Sequence, residues 1–142
     1  MIEFFDSTVL IAAMLEDEDR HDACAQALDS AIGAYAALHS AAECYATLTG
    51  GKLGFQLSPS DASQLIRHNI YERLTLVDLT SDEYIRMIDQ AGPSGARGGA
   101  IYDLLILACA RKVEATKIYT LNDRHFRALS KDISDKIAIP KS

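Results

Sequence analysis

Short apolar runs alternate along the whole chain with longer stretches of helical spacing. The runs at residues 2–5, 34–38, 74–79, 117–121 and 136–139 each predict a strand, and Pro140 stops the last one. Between them, 7–15 predicts a helix with Asp6 in the N-cap position. Residues 21–32 follow, with Ala23, Ala27 and Leu28 at helical spacing. The helix at 40–48 is stopped by Gly50-Gly51. After a loop and helix start at 57–61, Leu65 and Ile66 mark one face of a helix over 62–71. In 81–91, Tyr84, Ile85 and Ile88 are spaced for one face. The strongest helical pattern is 100–113, where Ile101, Leu104, Leu105 and Ala108 fall at i, i+3, i+4 and i+7. A short helix at 124–129 completes the set.

Strands separated by helices imply an α/β fold: a central, mostly parallel sheet of about five strands flanked by helices. No repeat or linker interrupts it, so one domain is expected over 1–142. The Gly-rich stretch 92–99 is the loosest part, and Glu16-Asp17-Glu18-Asp19 reads as a solvated turn.

Composition narrows the function classes. No apolar run is long enough to span a bilayer, and the N-terminus lacks the basic start of a signal peptide, so a cytoplasmic protein is expected. The three cysteines, Cys24, Cys44 and Cys109, are odd in number and unclustered, which predicts buried free thiols rather than disulfides or zinc. A net charge of −6 argues against non-specific affinity for duplex DNA. No P-loop and no Gly-x-Gly-x-x-Gly is present.

The candidate chemistry lies in acids placed just after strands or at helix starts. Asp6 closes the first strand, Glu43 follows the second, Asp103 opens the long apolar helix, and Asn122-Asp123 follow the fourth strand. In a parallel sheet the strand carboxyl ends share one edge, where crevices form. Carboxylates gathered there repel unless protons or a cation intervene, and oxygen ligands suit Mg²⁺ or Mn²⁺. Each acid also has a structural reading: Asp6 as an N-cap, Asp103 and Asp123 as first-turn acids, Asn122 as an N-cap. Ser40-Ala41-Ala42-Glu43 matches a capping box. Asp78 reads as a cap or surface residue, His125, beside Phe126 on a short amphipathic helix, as structural before a phosphate ligand or base, and His21, His39 and His68 show no ligand spacing.

These segments together resemble the PIN domain. Phe5-Asp6-Ser7 looks like its first strand end, and Ser40-Ala41-Ala42-Glu43-Cys44-Tyr45 resembles the segment of its second acid. Gly98 to Ala108 resembles the helix bearing its third acid, Asp103. Tyr119-Thr120-Leu121-Asn122-Asp123-Arg124-His125-Phe126 looks like its closing segment. The short chain is also similar to VapC-type toxins of prokaryotic toxin–antitoxin pairs.

That resemblance implies a Mg²⁺- or Mn²⁺-dependent endoribonuclease, a homodimer, held inactive by a cognate antitoxin. It implies that Asp6, Glu43 and Asp103 hold the metal, directly or through water, and that Asn122 or Asp123 fills the fourth position, where this chain has Asn in place of Asp. Arg97, Arg124 and Thr120 are the candidates for substrate contact, with Thr120 also able to orient the acids. A PIN-like DNA nuclease and a non-catalytic dimeric binding module are the competing readings.

Overall fold

The computed structural model describes residues 1–141. Five strands form one sheet: β1 (Glu3–Phe5), β2 (Tyr35–Ala37), β3 (Thr75–Val77), β4 (Lys117–Tyr119) and β5 (Ile137–Ala138). All neighbours are parallel, in the order β3-β2-β1-β4-β5. The helices are α1 (Ser7–Met14), α2 (His21–Ser30), α3 (Leu38–Thr49), α4 (Pro59–Ile66), α5 (Ser81–Asp89), α6 (Ala100–Lys112) and α7 (Asp123–Leu129). A π turn, Arg67–Tyr71, prolongs α4, and a 3-10 segment, Lys131–Lys136, leads into β5. The α/β reading therefore holds, and the sheet is parallel throughout.

β1 is central and pairs on both sides: Phe4 opposes Tyr35 and Ile118, and Phe5 opposes Ala36 and Tyr119. Successive strand residues point to opposite faces. Phe5 accordingly packs with Val9, Leu10, Leu28, Leu48 and Ile66 beneath α1 to α4. Phe4 packs with Leu105, Ile106, Cys109, Phe126 and Ile137 beneath α6 and α7. Both phenylalanines are fully buried, so β1 is gripped by a core on each side. The three free cysteines are buried in these cores, and burial pushes their thiols up to about 11 or 12, which leaves them inert packing groups.

One local expectation fails. α3 begins at Leu38, two residues before the expected start, with Ala37 in the cap position and no side-chain cap. Ser40 and Glu43 are thus carried past the helix start, and the capping box does not form. The helix ends where expected: Gly51, at φ 83, takes the left-handed conformation past Gly50. On α5, the predicted apolar face Tyr84, Ile85 and Ile88 is exposed, and Met87 is the residue buried. That helix is held by its end and its edge. Thr80 and Glu83 form a reciprocal capping box, and Glu83 also accepts from Lys112 of α6 at 2.7 Å. Among the described residues no helix is long and apolar enough to cross a membrane.

Candidate active site

The strand order fixes where a crevice must lie. The chain steps outward from β1 to β2 and β3, then returns to lay β4 and β5 on the other side of β1. The order reverses between β1 and β4, and ligand crevices form beyond the strand carboxyl ends at such a point. Asp6 is the first residue past β1, and its amide extends the β1–β4 pairing by donating to the Tyr119 carbonyl at 3.0 Å.

Asp6 also caps α1. Its Oδ1 accepts from the Val9 amide at 3.1 Å and from the Thr8 hydroxyl at 2.7 Å. Its Oδ2 accepts from the Thr120 hydroxyl at 2.5 Å. The two threonines are fixed in turn, because Thr8 Oγ1 accepts the Leu121 amide and Thr120 Oγ1 the Asn122 amide, both at 3.0 Å. A lattice of hydroxyls therefore ties the ends of β1 and β4 to one carboxylate. Asp6 is 1% exposed. Burial raises its pKa to about 6 against the pull of its three donors, and the charge of Asp103 adds to the rise.

The other two acids stand in more open surroundings. Glu43, one turn into α3, accepts from the Ser7 hydroxyl at 2.8 Å. Ser7 Oγ lies 2.9 Å from Ser40 Oγ as well. With one proton to give, Ser7 serves the carboxylate and takes its second bond from Ser40. Asp103, in the first turn of α6, meets His125 Nε2 of α7 at 2.9 Å. Burial raises the Asp103 pKa first, His125 opposes the rise, and Glu43 adds to it. Asp103 raises the pKa of Asp6 and Glu43 raises that of Asp103, so Asp103 on α6 stands within electrostatic reach of both other acids, one at the end of β1 and one on α3.

A model of the PIN domain matches residues 4–132. The chain belongs to the PIN domain family. Solved structures of similar fold include Mycobacterium tuberculosis VapC20, at 15% identity and TM-score 0.72 over 89% of this chain and 94% of that one. VapBC-1 from nontypeable Haemophilus influenzae aligns at 18% identity and TM-score 0.65, over 98% of each chain. VapBC2 from Rickettsia felis aligns at 16% identity and TM-score 0.66, over 99% of this chain and 100% of that one. No curated protein matched the sequence.

In this PIN domain the remaining candidates separate by orientation. Asp123 turns to Arg127, 2.8 Å away, and Arg127 also donates to the Ile137 carbonyl at 2.7 Å. Asp123 thus helps hold β5 to α7. Asn122 stands in the cap position of α7, but its side chain caps nothing and is exposed. Thr120 is fully buried with its hydroxyl spent on Asp6 and the Asn122 amide, a geometry for orienting Asp6 rather than for touching a substrate. Arg97 and Arg124 are exposed, on the Gly-rich loop and on α7.

Sequence reasoning passed over four contributors. Ser7 and Thr8 adjoin Asp6 and bond two of the partners just described. His125 was read as structural, yet its ring meets Asp103. His39 lies 3.8 Å from Glu43, an i, i+4 pair whose spacing was visible in the sequence.

The carboxylates, all hard oxygen donors, suit a divalent cation in kind. Their spacing is wider than a closed coordination shell, since among the described residues no three His, Cys, Asp or Glu side chains could grip one ion together. Water would have to complete the shell, as Mg²⁺ commonly requires.

Proposed function

We propose that this PIN domain is a divalent-metal-dependent endoribonuclease and the toxin of a toxin–antitoxin pair. The observation that carries the reading is the convergence of Asp6, Glu43 and Asp103 at the reversal point of a parallel sheet, in a chain of the PIN family. Mycobacterium tuberculosis VapC20, similar in fold, is a Sarcin-Ricin loop cleaving toxin, which supports the RNA substrate. Likeness to VapBC-1 and VapBC2 supports an antitoxin partner. The chain acts in the cytoplasm as a homodimer on this reading.

Asp6, Glu43 and Asp103 would hold Mg²⁺ or Mn²⁺, in part through water. When bound, such an ion neutralises phosphate charge and lowers the pKa of a coordinated water. The chain's own groups do the rest. Thr8 and Thr120 keep Asp6 in one orientation. Ser7 turns Glu43 toward the cluster. His125, on Asp103, stands where a ring can accept a proton from water or hand one to a leaving oxygen. Asn122, exposed beside the cluster, supplies a neutral amide at the fourth position, while Asp123 is engaged with Arg127.

The test is cleavage of single-stranded RNA with Mg²⁺ or Mn²⁺, with single-stranded DNA as control. Cleavage of RNA that stops in chelator and in Asp6→Asn is the expected result. Undiminished cleavage in chelator would overturn the metal reading, and preference for DNA would replace the substrate.

A further inference from the structure

An aromatic shelf stands beside the acids, and the mechanism above leaves it unused. His39 lies one helical turn before Glu43, and Tyr102 immediately precedes Asp103. Their rings stack across the gap between α3 and α6, with centroids 5.2 Å apart and planes within 6° of parallel. Tyr102 is nevertheless 48% exposed. Stacking covers one face of each ring, so the open area of Tyr102 belongs to its outer face and edge.

A flat, uncharged ring stacked at the rim of a carboxylate cluster is poorly suited to a phosphate. It is well suited to a nucleobase, because every base has a π-face. The chain also needs such a contact. At net charge −6 it gains little from phosphate neutralisation. Single-stranded RNA offers unstacked bases that a duplex does not.

We propose that the outer face of Tyr102, backed by His39, is a stacking platform for a base that flanks the scissile phosphate in single-stranded RNA. The platform rests on the ribonuclease reading and adds a source of affinity to it. Stacking reads no hydrogen-bond pattern, so the platform favours a base over no base and discriminates weakly among the four. Tyr102 is a positioning residue here, fixing the strand relative to Asp103 one residue away.

The experiment measures binding of two short strands by stopped-flow anisotropy in Ca²⁺: a single-stranded RNA, and a ribose-phosphate strand of equal length without bases. The parent should prefer the strand with bases. Tyr102→Ala and Tyr102→Leu should lose about 5- to 150-fold in affinity for it, equivalent to about 1–3 kcal/mol at about 1.4 kcal/mol per decade, with little change for the strand without bases. Tyr102→Trp should retain the preference. A mere clamp between α3 and α6 would weaken both strands alike, and that outcome overturns the platform. So does an unchanged preference in both the Ala and Leu variants while the parent still cleaves RNA. A parent that neither binds nor cleaves RNA overturns the ribonuclease reading and the platform with it.

Discussion

Asp6 and Asp103 stand at the same sheet edge and both have raised pKa values, yet their surroundings are built in opposite ways. Asp6 is sealed, with its oxygens held by two hydroxyls and an amide from α1 and the end of β4. Asp103 has a side chain 26% exposed and is met by His125, itself half open to solvent. The floor of the site is therefore set by protein hydrogen bonds before any ligand arrives. The rim keeps free lone pairs and a ring that faces solvent. Orientation is supplied by the sealed acid and exchange with water by the open one. Each of the following measurements tries to break that contrast.

The largest effect should come from the charge sealed in the floor. Burial lifts Asp6 from its ordinary 3.8 to about 6. Between those values the folded chain keeps a proton that the unfolded chain has lost. Stability therefore falls as pH rises through that window, and the loss is complete above it. The difference amounts to about 3 kcal/mol at about 1.4 kcal/mol per tenfold change. Denaturant unfolding in chelator should show Asp6→Asn gaining on the parent by about that much between pH 4 and pH 7.5. Its hydrogen-bond losses do not vary with pH and cancel in the difference. A gap independent of pH would mean that Asp6 is not sealed as described.

Next in size is the lattice itself. Thr120→Val keeps the shape but removes the hydroxyl that donates to Asp6 at 2.5 Å. A buried carboxylate oxygen left without its donor costs about 1–3 kcal/mol. Partners of this kind, once removed, also cost about 10- to 100-fold in metal affinity. Thr120→Ser restores the hydroxyl and should recover most of both. If Thr120→Val binds Mn²⁺ like the parent, by calorimetry, the floor is not oriented by this bond.

How much of this was legible follows the same division between what local pattern encodes and what packing decides. The strands were readable because each is a short apolar run bounded by turns, and β1 is apolar on both faces because two cores meet there. α6 was readable for a related reason: with Leu105, Ile106, Leu107, Cys109 and Ala110 buried, its apolar pattern has a core to face. α5 has an equally regular stripe that the described residues leave about half exposed. Spacing tells which residues share a helix face, and not which face the fold covers.

The acids were visible as residues after strands, and Thr120 as a residue able to orient them, but Thr8 was not. Thr8 and Thr120 both reach Asp6 because β1 and β4, far apart in the chain, are neighbours in the sheet. Asn122 and Asp123 could not be ranked by reading. One residue turns a helical side chain by about 100°, enough to send Asp123 to Arg127. The Ser40-to-Glu43 capping box was a true letter pattern in the wrong place, displaced because α3 starts at Leu38.

The smallest effect should come from the rim. Asp103→Asn removes one charge and nearly preserves shape. Two terms oppose the change. The favourable placement of a carboxylate at a helix N-terminus is typically worth about 0.3–1 kcal/mol, and a partly exposed ion pair such as that with His125 about 0–1 kcal/mol. Two terms favour it: burial of the charge and repulsion from Glu43. The net direction at Asp103 is upward, so ionisation is disfavoured in the folded chain and the favourable terms prevail. In chelator at pH 7 the variant should be at least as stable as the parent, by no more than about 1 kcal/mol. Because the folded pKa lies above the ordinary value, its advantage should grow as pH rises from 3.8 and then level off. Mn²⁺ reverses the order. At a hundred times its dissociation constant a ligand adds about 2.7 kcal/mol to a folded chain that binds it, and the variant should gain much less. Thermal melts with and without Mn²⁺ read both halves. A variant that is clearly less stable in chelator, and that responds to Mn²⁺ like the parent, would make Asp103 a helix-start residue held by His125 and remove the rim from the metal site.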